Sequence, residues 1–109
     1  MPNRNYARGA NFERQVVRDQ EVSGWIAGRN GGSHGEADVW AMKAVEGGKK
    51  LIQCKLGRIS RAERARLGEV AFYAGATAWI ASRPRRGVIE YEQVRSVLSF
   101  GGLRNAKTV

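Results

Sequence analysis

One short strand whose two faces differ in polarity most constrains how this chain can fold. The segment 51–57 reads LIQCKLG, and successive side chains of a strand point to opposite faces of a sheet. One face is then apolar and includes Cys54, expected to be a small core residue, whereas the other carries Gln53 and Lys55. A buried amide or ammonium group is costly unless it is paired, so groups on neighbouring elements must contact this polar face.

The composition indicates one folded domain with a strong positive charge. The 109 residues suffice for a single domain, with residues 1–5 and about 101–109 expected to be flexible. A net charge of +9 predicts a polyanionic partner, most commonly nucleic acid. An anionic membrane is the alternative, but the sequence has neither a basic amphipathic helix nor an apolar run of about 18 residues.

The cysteine and histidine counts limit the kind of metal site. One cysteine cannot form an internal disulfide, and no apolar segment of the signal-peptide type follows Met1, so we expect a reducing, cytoplasmic setting. With a single histidine besides, a Cys/His metal cluster is excluded. A metal would need oxygen ligands, which favours Mg²⁺ or Mn²⁺.

Hydrophobic periodicity and turn residues predict the order helix, three strands, helix, two strands. The first helix is predicted from Tyr6 to Val22, and a capping box of Ser60 with Glu63 predicts the start of the second. Strands are predicted at 25–28, 36–45, 49–56, 76–82 and 88–94, a basic turn at 83–87, and one further helical turn near the C-terminal end.

Acidic residues at unusual positions come from separate elements. Glu13 lies beside the apolar stripe of the first helix, and none of its neighbours three or four residues away is a cation. It is either a site residue or a partly exposed helix-edge glutamate. Asp38 falls inside a predicted strand, where aspartate is disfavoured, and Glu36 points to the same face.

A hairpin is predicted to bring these strands together in one of two registers. A turn at 46–47 places Asp38 opposite Lys55. The same turn places Trp40 opposite Gln53. A turn one residue later shifts the pairs but keeps the same faces together. In both registers Asp38, Gln53 and Lys55 share one face.

These features resemble the PD-(D/E)XK nucleases, and more closely the archaeal-type Holliday junction resolvases with their small phage relatives. The resemblance spans roughly residues 6–95, and its motifs are RGANFER with Glu13, GGSHGEADV with Ser33 and Asp38, and LIQCK with Gln53 and Lys55. It implies an α/β, restriction-endonuclease-like αβββαβ core, with a mixed central sheet flanked by helices. It also implies a Mg²⁺-dependent homodimeric endonuclease that acts on branched DNA in recombination and repair.

The resemblance also implies the roles of the site residues. Those expected to hold the metal are Glu13, Asp38, the Gln53 side chain and the Cys54 backbone carbonyl. Lys55 would orient the attacking water or neutralise the phosphate, and Ser33 would hydrogen-bond the scissile phosphate.

Gln53 departs from the glutamate that is usual in these resolvases. A glutamine occurs instead in restriction enzymes of the Mrr type, which resemble IQCK closely. An amide oxygen can still bind a metal but adds no negative charge. Glu36 is a candidate for the missing charge.

Arginines dominate the predicted DNA-binding surface. Lone loop histidines usually have no catalytic role, so His34 is assigned to DNA contact, and the tryptophans Trp25, Trp40 and Trp79 are expected in the core. Arg61, Arg64 and Arg66 add to the positive field. The DNA-binding candidates are Arg4, Arg8, Ser33, His34, Arg58, Arg83, Arg85 and Arg86.

Three functions are consistent with these observations. The first is a metal-dependent nuclease that resolves four-way junctions. The second is an Mrr-like restriction or repair nuclease of the same fold. The third is a non-catalytic basic nucleic-acid-binding domain, which the composition supports equally but which leaves Asp38, Gln53 and Lys55 unexplained. Candidates for a dimer surface are SVLSF at 96–100 and Phe72 with Tyr73.

Overall fold

The predicted order of elements is confirmed. The computed structural model describes residues 4–30, 37–43 and 48–95. Its elements are α1 (Arg4–Val22), β1 (Ile26–Arg29), β2 (Val39–Lys43), β3 (Gly48–Lys55), α2 (Arg61–Ala74), β4 (Thr77–Arg85) and β5 (Val88–Val94). Helix α1 begins at Arg4, two residues before the predicted start at Tyr6.

The five strands form one mixed sheet in the order β1-β2-β3-β4-β5. Neighbouring strands are antiparallel except β3 and β4, which are parallel and are joined through α2. A parallel pair needs such a crossover connection, whereas antiparallel neighbours can be joined by short turns. The predicted α/β class with a mixed central sheet is therefore confirmed.

The alternating side chains of β4 place the two helices on opposite faces of the sheet. Ala78 and Ile80 are buried in one cluster with Leu67 of α2. Ala81 is buried in a second cluster with Phe12 of α1. Odd and even positions of a strand face opposite sides, so each face of the sheet is covered by one helix. Among the described helices, none is long and apolar enough to span a membrane.

The capping box of α2 is confirmed. The hydroxyl of Ser60 accepts a hydrogen bond from the amide of Glu63 at 3.1 Å, and a carboxylate oxygen of Glu63 accepts one from the amide of Ser60 at 3.0 Å. At the other end, Gly75 adopts φ +69°, a conformation that L side chains rarely take. The helix therefore begins and ends where local sequence signals place it.

The predicted hairpin turn is wrong in length. Lys43 pairs with Gly48, so four residues separate the last paired positions instead of two. The strand assigned to 36–45 is described as Val39–Lys43, and Asp38 directly precedes it. Glu36 lies outside the described residues, as do Ser33, His34 and the segment 96–109.

The predicted register of that hairpin is also wrong. Trp40 pairs with Leu51 rather than with Gln53, and the same register does not bring Asp38 opposite Lys55. The observed register differs from the expected ones by an even number of residues. Such a shift leaves every side chain on the same face, so the hydrophobic pattern cannot detect it.

The basic segment 83–87 is only in part a turn. Arg83 and Arg85 belong to β4, and the turn is formed by Arg86 and Gly87. The pairing with β5 is irregular between Ser82 and Arg85, where Pro84 has no amide proton for the ladder. These arginines are therefore mounted on a strand end rather than on a loop.

Candidate functional site

The side chain of Asp38 lies where β2 and β3 separate. β3 extends three residues past its last pair with β2, which involves Ile52. The amide of Asp38 donates to the carbonyl of Ile52 at 2.9 Å, and its Oδ2 accepts from the amide of Cys54 at 2.9 Å. The Asp38 carboxylate thus accepts a hydrogen bond from β3 beyond the last residue that pairs with β2, and it is held at the end of the hairpin.

Helix α1 brings Glu13 to the same end of the sheet. Its Oε1 accepts a hydrogen bond from Nε of Arg29 at 2.9 Å, and the Glu13 side chain is 20% exposed. Burial raises the pKa of Asp38; the Cys54 amide opposes this, the Glu13 charge adds to it, and the charges of Lys55 and Arg29 lower it. Two carboxylates and two cations are therefore close enough to influence one another.

Lys55 on β3 contacts a residue from α2. Its Nζ donates to Oε2 of Glu63 at 3.2 Å. The hydrogen bond from the Ser60 amide and the one from Lys55 lower the pKa of Glu63. Gln53, on the same face as Lys55, is half-buried. The start of α2 thus provides a partner for Lys55 on the polar face of β3.

Cys54 packs in the core, as expected. Its side chain lies against the α1-side cluster that contains Phe12 and Val16. Burial raises the pKa of the thiol far above its usual range, and the charges of Asp38 and Glu13 add to the effect. The neutral thiol is therefore no nucleophile at ordinary pH.

The expected metal ligands are brought together only in part. Asp38 and Cys54 are in contact, and Glu13 is coupled to Asp38 through its charge. Residues 4–30, 37–43 and 48–95 contain no group of three or more Asp, Glu, His or Cys that could hold a metal ion. The donors that lie near one another are the carboxylate oxygens of Asp38 and Glu13, which are ligands that a hard cation prefers.

Two adjoining grooves surround this end of the sheet, and we call them together the basic groove. One has a volume of about 660 Å³ and the other about 430 Å³, and both are lined by Arg8 and Leu56. Among residues 4–30, 37–43 and 48–95, no carboxylate lines either part. The lining cations are Arg8, Lys55, Arg58, Arg83, Arg85 and Arg86.

One of these arginines is held in place before any ligand binds. Arg83 donates to Oε1 of Gln15 at 2.9 Å, and its guanidinium group lies 5.3 Å from the centre of the Phe12 ring. Both partners belong to α1, so the end of β4 is tied to the helix that carries Glu13. Arg85 and Arg86 are exposed.

The arginines expected only to add to the positive field lie outside the basic groove. Arg64 pairs with Glu92 at 2.7 Å, and Arg66 pairs with Glu69 at 3.7 Å. Neither these two nor Arg61 lines the basic groove. The side chain of Arg4 is outside the part that the structure describes.

The tryptophans are structural rather than part of the groove. Trp79 packs against the α1-side cluster. Trp25 lies beneath two cations, Lys50 with its Nζ at 4.1 Å and Lys43 with its Nζ at 5.1 Å from the ring centre. No tryptophan lines the basic groove.

Sequence reasoning missed two partners of the site. The sequence pattern indicates no role for Arg29, because its partner Glu13 lies sixteen residues away on another element. Glu63 was assigned only to the helix cap, and its contact with Lys55 had no local signal because the two lie on different elements.

The fold was compared with those of known proteins. No protein-family model matches the chain, and no curated protein matches it. Among solved structures, Hjc, a Holliday junction resolvase from the archaeal hyperthermophile Archaeoglobus fulgidus, is similar with a TM-score of 0.69 and 24% sequence identity. The likeness covers 80% of this chain and 73% of the Hjc chain. The chain thus has the restriction-endonuclease-like fold of Hjc, which confirms the fold implied by the motifs.

Proposed function

We propose that this chain, which shares its fold with the Hjc resolvase, is a metal-dependent endonuclease that resolves four-way DNA junctions. The observation that carries the proposal is the position of Glu13, Asp38 and Lys55. These residues lie at one end of the sheet, beside a basic groove that six cations and no carboxylate line within the described part of the chain. A cleavage site and a surface for a polyanion are therefore adjacent.

The basic groove is suited to the DNA backbone. Guanidinium groups match phosphate geometry, and their binding releases counterions. Arg83, already held by Gln15, needs little further ordering, whereas exposed Arg85 and Arg86 can adjust to the path of a strand. Arg8 and Arg58 line the part nearest Lys55. His34 and Arg4 remain candidates from the sequence.

The side chains around Asp38 are suited to phosphodiester hydrolysis. Asp38, Glu13, the Gln53 side chain and the Cys54 carbonyl would hold Mg²⁺, for which Mn²⁺ would substitute. The bound ion would supply an activated water and stabilise charge on the phosphate. Lys55 would orient the water or neutralise the phosphate as a point charge. Ser33 would hydrogen-bond the scissile phosphate, and Glu36 would act as an auxiliary carboxylate.

A homodimer suits the proposed task. Resolving a junction requires two symmetric cuts, and a dimer with two-fold symmetry presents two identical sites. The proposal places the protein in the cytoplasm, in a prokaryotic cell or a phage-infected host. Sedimentation of the purified protein with and without junction DNA measures the oligomeric state, and a monomer on the junction would contradict this part.

The test of function compares a synthetic four-way junction with linear duplex of the same sequence. Both are incubated with the wild-type protein and with Lys55→Ala, with Mg²⁺ or with EDTA. Paired cuts on opposite strands of the junction, absent with EDTA, with the variant and on the duplex, would support a resolvase. Equal cutting of the duplex would favour an Mrr-like nuclease, and binding without cutting would favour a non-catalytic DNA-binding domain.

A further inference from the structure

The ion pair between Lys55 and Glu63 joins the candidate site to the start of α2. Nζ of Lys55 donates to Oε2 of Glu63 at 3.2 Å, while Oε1 of the same carboxylate accepts from the amide of Ser60 at 3.0 Å. The two oxygens of one carboxylate therefore have different tasks. One closes the helix cap, and the other holds the lysine.

The cap makes this pair different from an ordinary surface ion pair. Exposed pairs contribute little because two long side chains must be ordered together. Here the capping box already orders Glu63 through two hydrogen bonds with Ser60, so only the lysine remains to be ordered. The hydrogen bonds from the Ser60 amide and from Lys55 both favour the ionised form of Glu63 and lower its pKa.

The position of Lys55 requires an anchor of this kind. A lysine ammonium group sits on a flexible four-carbon stem, and its position depends on its acceptors. Besides pairing with Glu63, Lys55 lines the basic groove together with Arg8 and Arg58, so its side chain lies at the edge of the space proposed for the DNA backbone. With one of its three N–H donors used by Glu63, two remain for a phosphate oxygen and a water molecule.

We infer that Glu63 is a positioning residue that holds the ammonium group of Lys55 at the basic groove for phosphodiester cleavage. The inference rests on the proposed function of this site and adds a residue from α2 to it. Glu63 acts through Lys55 and does not contact the substrate.

The test uses Glu63→Gln with Glu69→Gln as its matched control. Glutamine is accepted at this position of a capping box, so α2 and the melting temperature are preserved. Because the amide oxygen still accepts from Ser60, the amide NH₂ group faces Lys55 and repels it. Glu69 lies on the same helix, is exposed and pairs with Arg66 at 3.7 Å, so its variant makes the same charge change away from the site.

Two measurements are made on each protein. Single-turnover cleavage of the four-way junction in Mg²⁺ should slow about tenfold in Glu63→Gln, the size of effect expected from a misplaced group, while the Kd for the junction in EDTA is unchanged or lower. Competitive acylation of the lysines, read by mass spectrometry without DNA, should label Lys55 faster in this variant. Glu69→Gln should match the wild type in both.

The outcomes separate this inference from the proposed function. If the wild type cuts the junction and Glu63→Gln cuts at the same rate, the inference is overturned and the function stands. Slower cutting with unchanged labelling of Lys55 also overturns the inference, because Glu63 would then act in another way. A wild-type protein that cuts nothing overturns the proposed function and this inference with it.

Discussion

Of the three lysines on strand β3, Lys50 near its start and Lys55 at its end have different surroundings. Lys50 faces α1, where its Nζ donates to the buried Gln20 at 3.0 Å and lies 4.1 Å from the Trp25 ring and 5.3 Å from the Trp79 ring. Burial, with the nearby charge of Lys43, lowers its pKa. It is enclosed by an amide and two aromatic rings, so its role is structural.

Lys55 faces acidic groups and open space instead. It pairs with Glu63, its charge reaches Asp38, and it lines the basic groove. Lys55 is therefore the candidate site residue of the two, because it pairs directly with a carboxylate and lines the basic groove. The comparison can be tested at both lysines and at the groups around them.

The largest expected effect separates the two lysines directly. Lys55→Met should lower junction cleavage by about 10²–10³-fold, the usual loss when one charge-stabilising group is removed, with little change in stability. Lys50→Met should leave cleavage within about twofold. It should lower the free energy of unfolding by roughly 1–3 kcal/mol, because the Gln20 carbonyl loses its donor.

Cleavage assays and urea denaturation of both variants make this comparison. If Lys50→Met loses as much cleavage per folded molecule as Lys55→Met, the distinction between the two ends of β3 is wrong.

The next effect concerns Asp38 in the metal-free protein. Asp38→Asn should abolish most cleavage, yet raise stability at pH 7. The pKa of Asp38 is higher in the folded than in the unfolded protein, so the ionised carboxylate lowers the free energy of unfolding at pH values above the folded-state pKa. This destabilisation disappears as the pH falls toward 3.8, because the carboxyl group is then protonated. Asparagine can still accept from the Cys54 amide through its carbonyl oxygen.

Urea melts of wild type and Asp38→Asn in EDTA, from pH 7 to pH 4, measure this gap. The variant should be the more stable protein at pH 7, and the two should converge at low pH. A variant that is less stable at pH 7 would mean that the Asp38 charge supports the fold.

A smaller effect is expected from the arginines at the end of β4. The double variant Arg85→Ala with Arg86→Ala should weaken junction binding about tenfold and reduce the slope of log K against log salt by about 2. The double variant Arg61→Ala with Arg95→Ala removes two exposed arginines outside the basic groove and is the control. Equal losses in both would show that net charge, and not the groove, determines affinity.

The smallest expected effect concerns Gln53, which lies on the same face of β3 as Lys55. Gln53→Glu adds the carboxylate that is usual in the resolvases whose motifs this sequence resembles. It should lower the Mg²⁺ concentration for half-maximal cleavage several-fold, because an added negative charge increases the attraction of the site for the cation. Gln93→Glu, an exposed position on β5, adds the same charge elsewhere. A Mg²⁺ requirement that is identical in Gln53→Glu and the wild type would remove Gln53 from the metal site.

Patterns of neighbouring residues predict much of the secondary structure of this protein. The order of the seven elements follows from hydrophobic periodicity and turn residues, and the capping box at Ser60 follows from four neighbouring residues. The placement of Gln53 and Lys55 on one face follows from the two-residue repeat of a strand. Each of these depends on residues close together in the chain, so the sequence by itself determined them.

Contacts between distant residues were decided only by the tertiary structure. The register of β2 on β3 depends on a loop length that the face pattern cannot detect, since an even shift preserves every face. The pairs Glu13–Arg29 and Lys55–Glu63 each join two elements, and no local signal selects the partner. The same holds for the environments of Lys50 and Lys55, which are lysines on one strand. Only the packing of the helices places Lys50 against Gln20 of α1, and Lys55 against Glu63 of α2 at the basic groove.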